Sequence, residues 1–468
     1  MSTGDPIDPG DPAGAIGQVR DADAAEFPGQ PPSGGARSNR GVLGRGASTS
    51  FVLQTSGIAL QYATQVVLAR TLGVGAFGTY TYALTWSRMA AGVCQLGGTS
   101  SSLRLIPQHT VEERWDLVAG LVRRFRQVAL GLGVLITATA SAIILAVDGT
   151  STEAVALVLA LGLVPVTALI ELQVALTRAL ESVFRAYFPW LVLQPALLIA
   201  TVGVFLTLGS DLDVESAVLL TGGSYLFTMV LQAWWLHRLQ PPQVRSASPT
   251  YATREWLKLT LPIFGSNVVY LVFQRLDVVM VGLLRSPLDA GVYAVAMRAG
   301  TFANIFQTAM AATLAPRISR LFWSDRRSEV EHMVLMSIRW TFLPTLALTA
   351  ALCGLADPIL DVFGPGFSRG ETVLILTALA QLVSVSSGPV GWLMNMTGHQ
   401  NITAVVFSLT AVVTVAGYFA LIPWLGIAGA AVANGGAVVA RNLALNVLAR
   451  RRLGYKLSVL RSLRAGAR

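Results

Sequence analysis

The chain has 468 residues, of which 53% are hydrophobic and only 13% charged. A soluble globular domain carries roughly 25% charged residues, and here stretches of 20 or more residues between positions 50 and 450 hold one charge or none, which excludes a water-soluble enzyme. The net charge of +9 speaks first of orientation in a membrane, and nucleic acid is not an expected partner.

Residues 1–47 are rich in Gly, Pro, Asp and Ser and show no apolar period. Such a segment buries too little surface to offset its ordering entropy, so a disordered cytoplasmic tail is expected. From Ser50 the hydropathy pattern predicts about twelve membrane spans, at 50–70, 79–102, 126–147, 154–177, 187–209, 215–236, 257–283, 290–315, 333–355, 370–394, 402–423 and 426–449. The first six make an N-lobe over 48–240, a linker occupies 241–255, and the last six make a C-lobe over 256–452, followed by a basic tail at 453–468. Prolines at 165, 195, 262, 344 and 389 fall inside spans; membrane helices tolerate them where neighbours or cavity water satisfy the freed carbonyls.

Loop charge sets the orientation. The tails and the loops after spans two, four, six and eight, with the adjoining helix ends, carry 27 of the 34 Lys and Arg. The opposite loops carry three, Arg70, Arg285 and Arg369, with nine acids. The basic side is expected to be cytoplasmic, with both termini there. The other loops are short, which leaves no room for the outer acceptor domain of a membrane glycosyltransferase, ligase or polymerase. Cys94 and Cys353 stand alone, and no His, Cys or carboxylate cluster has metal-ligand spacing, so neither a metal nor a cofactor is expected. The two lysines, Lys258 and Lys456, do not follow Gly, so a phosphate-binding loop is missing too.

The chain repeats itself at an offset of 213 residues: Phe51, Gln61, Val66, Gly78, Tyr80 and Ala83 recur as Phe264, Gln274, Val279, Gly291, Tyr293 and Ala296. An offset of six spans preserves orientation, so the lobes are parallel repeats, an arrangement that places a site at their interface. In the seventh span Asn267, Tyr270, Gln274 and Asp277 follow at i, i+3, i+7 and i+10, which is one helix face. Six charges fall inside the membrane: Arg88, Glu171, Arg275, Asp277, Arg298 and Arg441. Each costs roughly 2.5–3.5 kcal/mol at a helix centre, so most should face the bundle interior. Arg88 and Arg298 are three residues apart in repeat coordinates and ~12 Å from the outer end. Two guanidinium groups facing across a cavity suit a diphosphate; the competing reading pairs them structurally with Glu171 or Asp277. Arg275, two residues from Asp277, is expected to reach for the outer interface.

Leu68-Ala69-Arg70-Thr71-Leu72-Gly73 with Phe77-Gly78-Thr79-Tyr80, then Gly291-Val292-Tyr293-Ala294-Val295-Ala296, Pro316-Arg317-Ile318-Ser319, Asn395-Met396-Thr397-Gly398 and Leu425-Gly426-Ile427-Ala428-Gly429-Ala430 resemble, in order and spacing, the oligosaccharide (polysaccharide biosynthesis) flippases. Their superfamily also holds multidrug antiporters and lipid II flippases. The resemblance covers about residues 48–455. It implies an all-α integral membrane protein with two six-helix lobes around a cavity that opens alternately to either side. The implied substrate is a polyprenyl-diphosphate-linked oligosaccharide moved from the cytoplasmic to the outer leaflet of the inner (plasma) membrane, without catalysis, for exopolysaccharide or surface-glycan assembly. Glycan polymerase or glycosyltransferases would be neighbours. Expected substrate contacts are Arg88, Arg298, Asp277, Gln61, Gln274, Asn267 and Arg275. The alternatives are an ion-coupled small-molecule or drug antiporter, disfavoured because the first span has no acid, and a membrane ligase or polymerase.

Overall fold

The computed structural model describes residues 36–209, 211–324, 326–455, 457, 459, 461 and 462. Every described regular element is helical: α1 (Ala36–Cys94), α2 (Gly98–Val111), α3 (Trp115–Asp148), α4 (Thr152–Leu161), α5 (Val164–Ala179), α6 (Val183–Phe188), α7 (Gln194–Thr207), α8 (Val214–Leu239), α9 (Pro242–Ser246), α10 (Thr253–Leu284), α11 (Pro287–Thr301), α12 (Ile305–Trp323), α13 (Arg327–Gly354), α14 (Ala356–Asp361), α15 (Glu371–Ser386), α16 (Val390–Met396), α17 (Gln400–Leu425) and α18 (Ile427–Leu453). Residues 1–35 of the expected disordered tail lie outside the described residues. Residues 36–49 are helical.

The predicted spans are found as single helices or as helices broken at identifiable residues. The first two share α1, whose backbone leaves the helical region at Gly73 (φ 74°, ψ 168°), a conformation open essentially to glycine alone. The equivalent break in the second half is at Arg285 and Ser286, between α10 and α11. The fourth span divides at Gly162–Leu163 and resumes with Pro165 in the first turn of α5, where a missing N–H costs nothing. The fifth carries a π turn over Pro189–Leu193 between α6 and α7. The tenth divides before α16, whose cap is Pro389. Pro262 and Pro344 lie inside α10 and α13.

Among the described residues six spans qualify to cross a bilayer by length and composition alone, and up to eight when two bent pairs are included. The four that fall short are the first, second, eighth and twelfth. Among these four are the spans that carry Arg88, Arg298 and Arg441, all of which line the chambers between the lobes. Lipid-facing surfaces are apolar: α17 exposes Val405, Leu409, Val412 and Val413 along one face.

In the N-lobe α3 packs on α5, and α5 on α2 and α8; in the C-lobe α18 packs on α17 and α15, and α15 on α11 and α13. The linker is docked rather than free. Val244 of α9 is buried with the N-lobe core, and the Thr250 N–H donates to the Asp116 carbonyl at 3.1 Å. The apolar core is arranged unevenly along the molecule. At the short-loop end a single cluster unites both lobes, from Leu68, Phe77 and Tyr80 to Tyr293, Leu360 and Phe367. At the arginine-rich end it divides into an N-lobe cluster around Leu121 and Leu172, which takes in Trp256 from the start of α10, and a C-lobe cluster around Val330 and Leu393. The lobes share one core at the short-loop end, and at the other end it is the first half of α10 that packs on the N-lobe.

Candidate functional site

Two adjoining chambers occupy the space between the lobes. The first, of about 190 Å³, is lined by Arg88 of α1, Arg275 of α10 and Arg298 of α11, with Glu171, Gln61, Gln194 and Tyr225. The second, of about 520 Å³, shares Arg275 and Arg298 with it and adds Arg441, Gln274, Tyr270, Asn304 and Asn434. A third, more open groove shares Gln61 and Arg298 and is walled by Ile58, Tyr62, Phe302 and Ile305 between α1 and α11–α12.

Arg88 is held from one side. Its Nη2 donates to the Tyr225 hydroxyl at 2.7 Å, and the Tyr225 ring meets Trp190 edge-on at 5.2 Å. The π turn that carries Trp190 into the first chamber is the kind of helix irregularity found at functional sites. The Arg88 Nε is buried with no partner. Glu171, the one carboxylate among the described residues that line the chambers, accepts from the side-chain amide of Gln95. Among the described residues no carboxylate comes within 4 Å of Arg88, Arg275 or Arg298. Three like charges share one chamber away from bulk water, with one acid already engaged elsewhere. Low effective dielectric makes their mutual repulsion costly, and an anion between them would relieve it.

The other expected contacts divide. Gln61 and Gln274 line the chambers, and Gln274 Nε2 donates to the Tyr270 hydroxyl at 2.7 Å. Asn267 does not line them; its Nδ2 lies 3.5 Å from Ser100 Oγ of α2, in the other lobe. Asp277 does not line them either. It is fully buried in the C-lobe, where its carboxylate accepts from the Val278 N–H at 2.8 Å and from Tyr293 Oη and Asn434 Nδ2, both at 3.1 Å. The seventh-span stripe is thus divided: Tyr270 and Gln274, on either side of a 53° bend in α10, line the second chamber, while Asn267 and Asp277 at the two ends of the stripe do not. Arg275, expected at the outer interface, instead lines both chambers.

Repeat arithmetic makes sense of Asp277. Subtracting 213 from Asp277, Tyr293 and Asn434 gives Thr64, Tyr80 and Thr221. Tyr80 Oη and Thr221 Oγ1 lie 2.8 Å apart in the N-lobe, while Thr64 Oγ1 bonds to the Leu60 carbonyl at 2.8 Å. The same buried polar seat is neutral in one lobe and holds a carboxylate in the other.

Sequence reasoning left Arg441, Asn304, Tyr225 and Trp190 outside the site. Arg441 carried a usable signal: Asn434, Val438 and Arg441 follow at i, i+4 and i+7 and all line the second chamber. Tyr225 and Trp190 carried none, since aromatic residues in apolar helices are ordinarily packing.

Residues 43–322 match the family model described as polysaccharide biosynthesis protein. The probable low-salt glycan biosynthesis flippase Agl15 of Haloferax volcanii is 24% identical over 239 residues, 50% of this chain and 48% of that one, so the match spans about half the relative's length. Among solved structures, an inward-facing multidrug resistance MATE family transporter of the MOP superfamily superposes with a TM-score of 0.70 at 17% identity, covering 87% of this chain and 98% of the other. Lipid II flippase MurJ in an inward closed conformation superposes with a TM-score of 0.64 at 16% identity, covering 89% and 90%. These likenesses settle the fold as twelve membrane helices in two repeated lobes.

Proposed function

Because the chain belongs to the polysaccharide biosynthesis protein family, we propose that it is a flippase carrying polyprenyl-diphosphate-linked oligosaccharide from the cytoplasmic to the outer leaflet of the plasma membrane. The observation that carries this reading is the first chamber, where Arg88, Arg275 and Arg298 converge without an ion-pair partner among the described residues. Guanidinium forks match phosphate oxygens two at a time and stay charged in a desolvated site. The diphosphate sits among these arginines. Gln61, Gln274 and Tyr270 face the sugars, and the polyprenyl chain leaves through the third groove, whose Ile58 and Ile305 are half exposed.

The uneven core supplies the motion. With the arginine-rich end in the cytoplasm, the lobes, whose cores are separate there apart from α10, admit substrate from that side while the single shared cluster seals the outer side. Rocking the lobes about the site, so that the seal parts and the inner end closes, delivers the substrate outward. The protein moves its substrate without changing it chemically. Two features weigh against a small-molecule cation antiporter: the described residues of the chambers include four arginines and one acid, and the first span has no carboxylate.

The test is a deletion strain. Lipid-linked oligosaccharide is expected to accumulate intact on the cytoplasmic leaflet, inaccessible to an external glycosidase. Absence of the lipid-linked precursor would favour a biosynthetic enzyme instead, and unchanged export with altered cation-drug sensitivity would favour the antiporter. Reporter fusions after Glu181 and Arg245 are expected to read cytoplasmic, and one after Asp213 external.

A further inference from the structure

A second basic cavity lies away from the interlobe chambers, on the N-lobe at its arginine-rich end. It is an open groove of about 580 Å³, within the ~300–1,000 Å³ range of small-molecule sites. One wall is a single face of α3: Arg123, Arg126, Gln127 and Leu130 follow at i, i+3, i+4 and i+7. The end of α8 contributes His237, α9 contributes Arg245, and Leu169 of α5 closes the side nearest the membrane interior. Among the described residues no acid lines the cavity. Among the described residues, the side chains of Arg123, Arg126 and Arg245 form no hydrogen bond or ion pair.

The cavity is therefore amphipathic along its depth. Its cations sit at the loop level, and one to two turns further along α3 Leu130 stands 46% exposed beside Leu169. A free anion would use only the first part. A membrane lipid uses both, with its phosphate among the arginines and its glycerol and first methylenes against the leucines. Basic pockets between membrane helices at the headgroup level hold anionic lipids in this way. We propose that this cavity binds the headgroup of an anionic phospholipid as a site separate from the transport pathway. The docked linker, through Val244, Arg245 and Pro249, forms its outer wall. Occupancy thus ties the connection between the lobes to the surrounding leaflet.

The experiment uses the full-length purified protein. Native mass spectrometry during titration with phosphatidylglycerol and, separately, phosphatidylcholine is expected to show at least tenfold tighter retention of the anionic lipid. The R123Q/R126Q/R245Q variant is expected to lose about tenfold of that retention, and the triple lysine variant to keep most of it. Excess inorganic phosphate is expected not to displace the lipid. Equal retention of the two lipids by the wild type, which needs no variant to fold, overturns the proposal. Retention unchanged in the glutamine variant overturns it too, as does displacement by inorganic phosphate alone, which would make this a free-anion site.

Discussion

Gly78 and Gly291, equivalent residues of the two repeats, touch each other backbone to backbone: a Cβ built on Gly291 would lie 2.5 Å from the Gly78 Cα. Equivalent positions meet only where the axis relating them passes, so the pseudo-two-fold of the lobes runs between these glycines at the short-loop end. A Cβ on Gly78 would meet the Pro287 carbonyl oxygen at 2.5 Å and the Leu288 Cα at 2.6 Å, both backbone atoms that cannot step aside. Gly78→Ala or Gly291→Ala should cost this closed arrangement about 1–3 kcal/mol, as overpacking does. The expected outcome is a shift toward the form open at that end. In a background lacking Cys94 and Cys353, a reporter cysteine at Thr81 should react several-fold faster with an impermeant thiol reagent added outside. An unchanged rate in both variants would place the axis contact outside the gate.

Arg70 closes the same end by other means. Its Nε donates to the Val362 carbonyl at 2.7 Å, joining the N-lobe to the segment after α14, and Phe77 meets Phe367 edge-on at 5.6 Å. The arginine is exposed, so its bond is worth only about 0.5–1 kcal/mol. Arg70→Ala should raise Thr81-cysteine labelling about two- to fivefold while leaving thermal stability within about 1 kcal/mol. Labelling below the wild-type rate would show that the bond holds another state together.

The twelve spans, their repeat and the shared cavity of Arg88 and Arg298 were legible because apolar length, loop charge and equivalent positions survive any local distortion. The division between Arg275 and Asp277 was not. Both stand on one helix two residues apart and so point to different sides of it, and which side meets the cavity depends on how α10, bent by 53° just before them, lies against the two lobes. Pro262, the residue in α10 that signals irregularity, lies well before that bend, so the sequence offered a kink without its place. Tyr225 escaped for a different reason: its role as the Arg88 acceptor depends on α8 lying across from α1, a tertiary fact with no local trace.

Asp213 offers a test of the short-loop end by pH. It caps α8 by accepting from the Ser216 N–H at 2.8 Å, while the Ser216 hydroxyl completes a reciprocal box. The bond from the Ser216 side chain, then that from its N–H, holds the Asp213 carboxyl below the usual carboxylate range. A depressed folded-state value means the cap stabilises above the unfolded value near ~3.9 and is lost as pH falls through the folded one. Because the group is largely exposed, the contribution is about 0.5 kcal/mol, at the low end for caps. Wild type and Asp213→Asn should therefore differ least in thermal unfolding at the acid end of the titration and most near neutrality. A difference that grows as pH falls would contradict the cap.

The arginines of the first chamber separate anion binding from architecture. If Arg298 were a structural partner of Asp277, its loss would strand a buried carboxylate and lower protein abundance. The geometry provides that carboxylate with three donors of its own, from Val278, Tyr293 and Asn434, and no arginine among them. Arg88→Gln, Arg275→Gln and Arg298→Gln should each leave the protein inserted and abundant, yet cut glycan export at least about tenfold, since a charge-assisted hydrogen bond is worth ~1.5–3 kcal/mol. Lysine at Arg88 or Arg298 should restore part of the export, because attraction persists while the fork is lost. Asp277→Asn should lower abundance by itself, leaving a C-lobe seat that resembles the neutral N-lobe one but was not built for an amide. Combining it with Arg298→Gln should not repair export. Recovery of export in that double variant would make the pair a structural bridge and end the case for a diphosphate clamp.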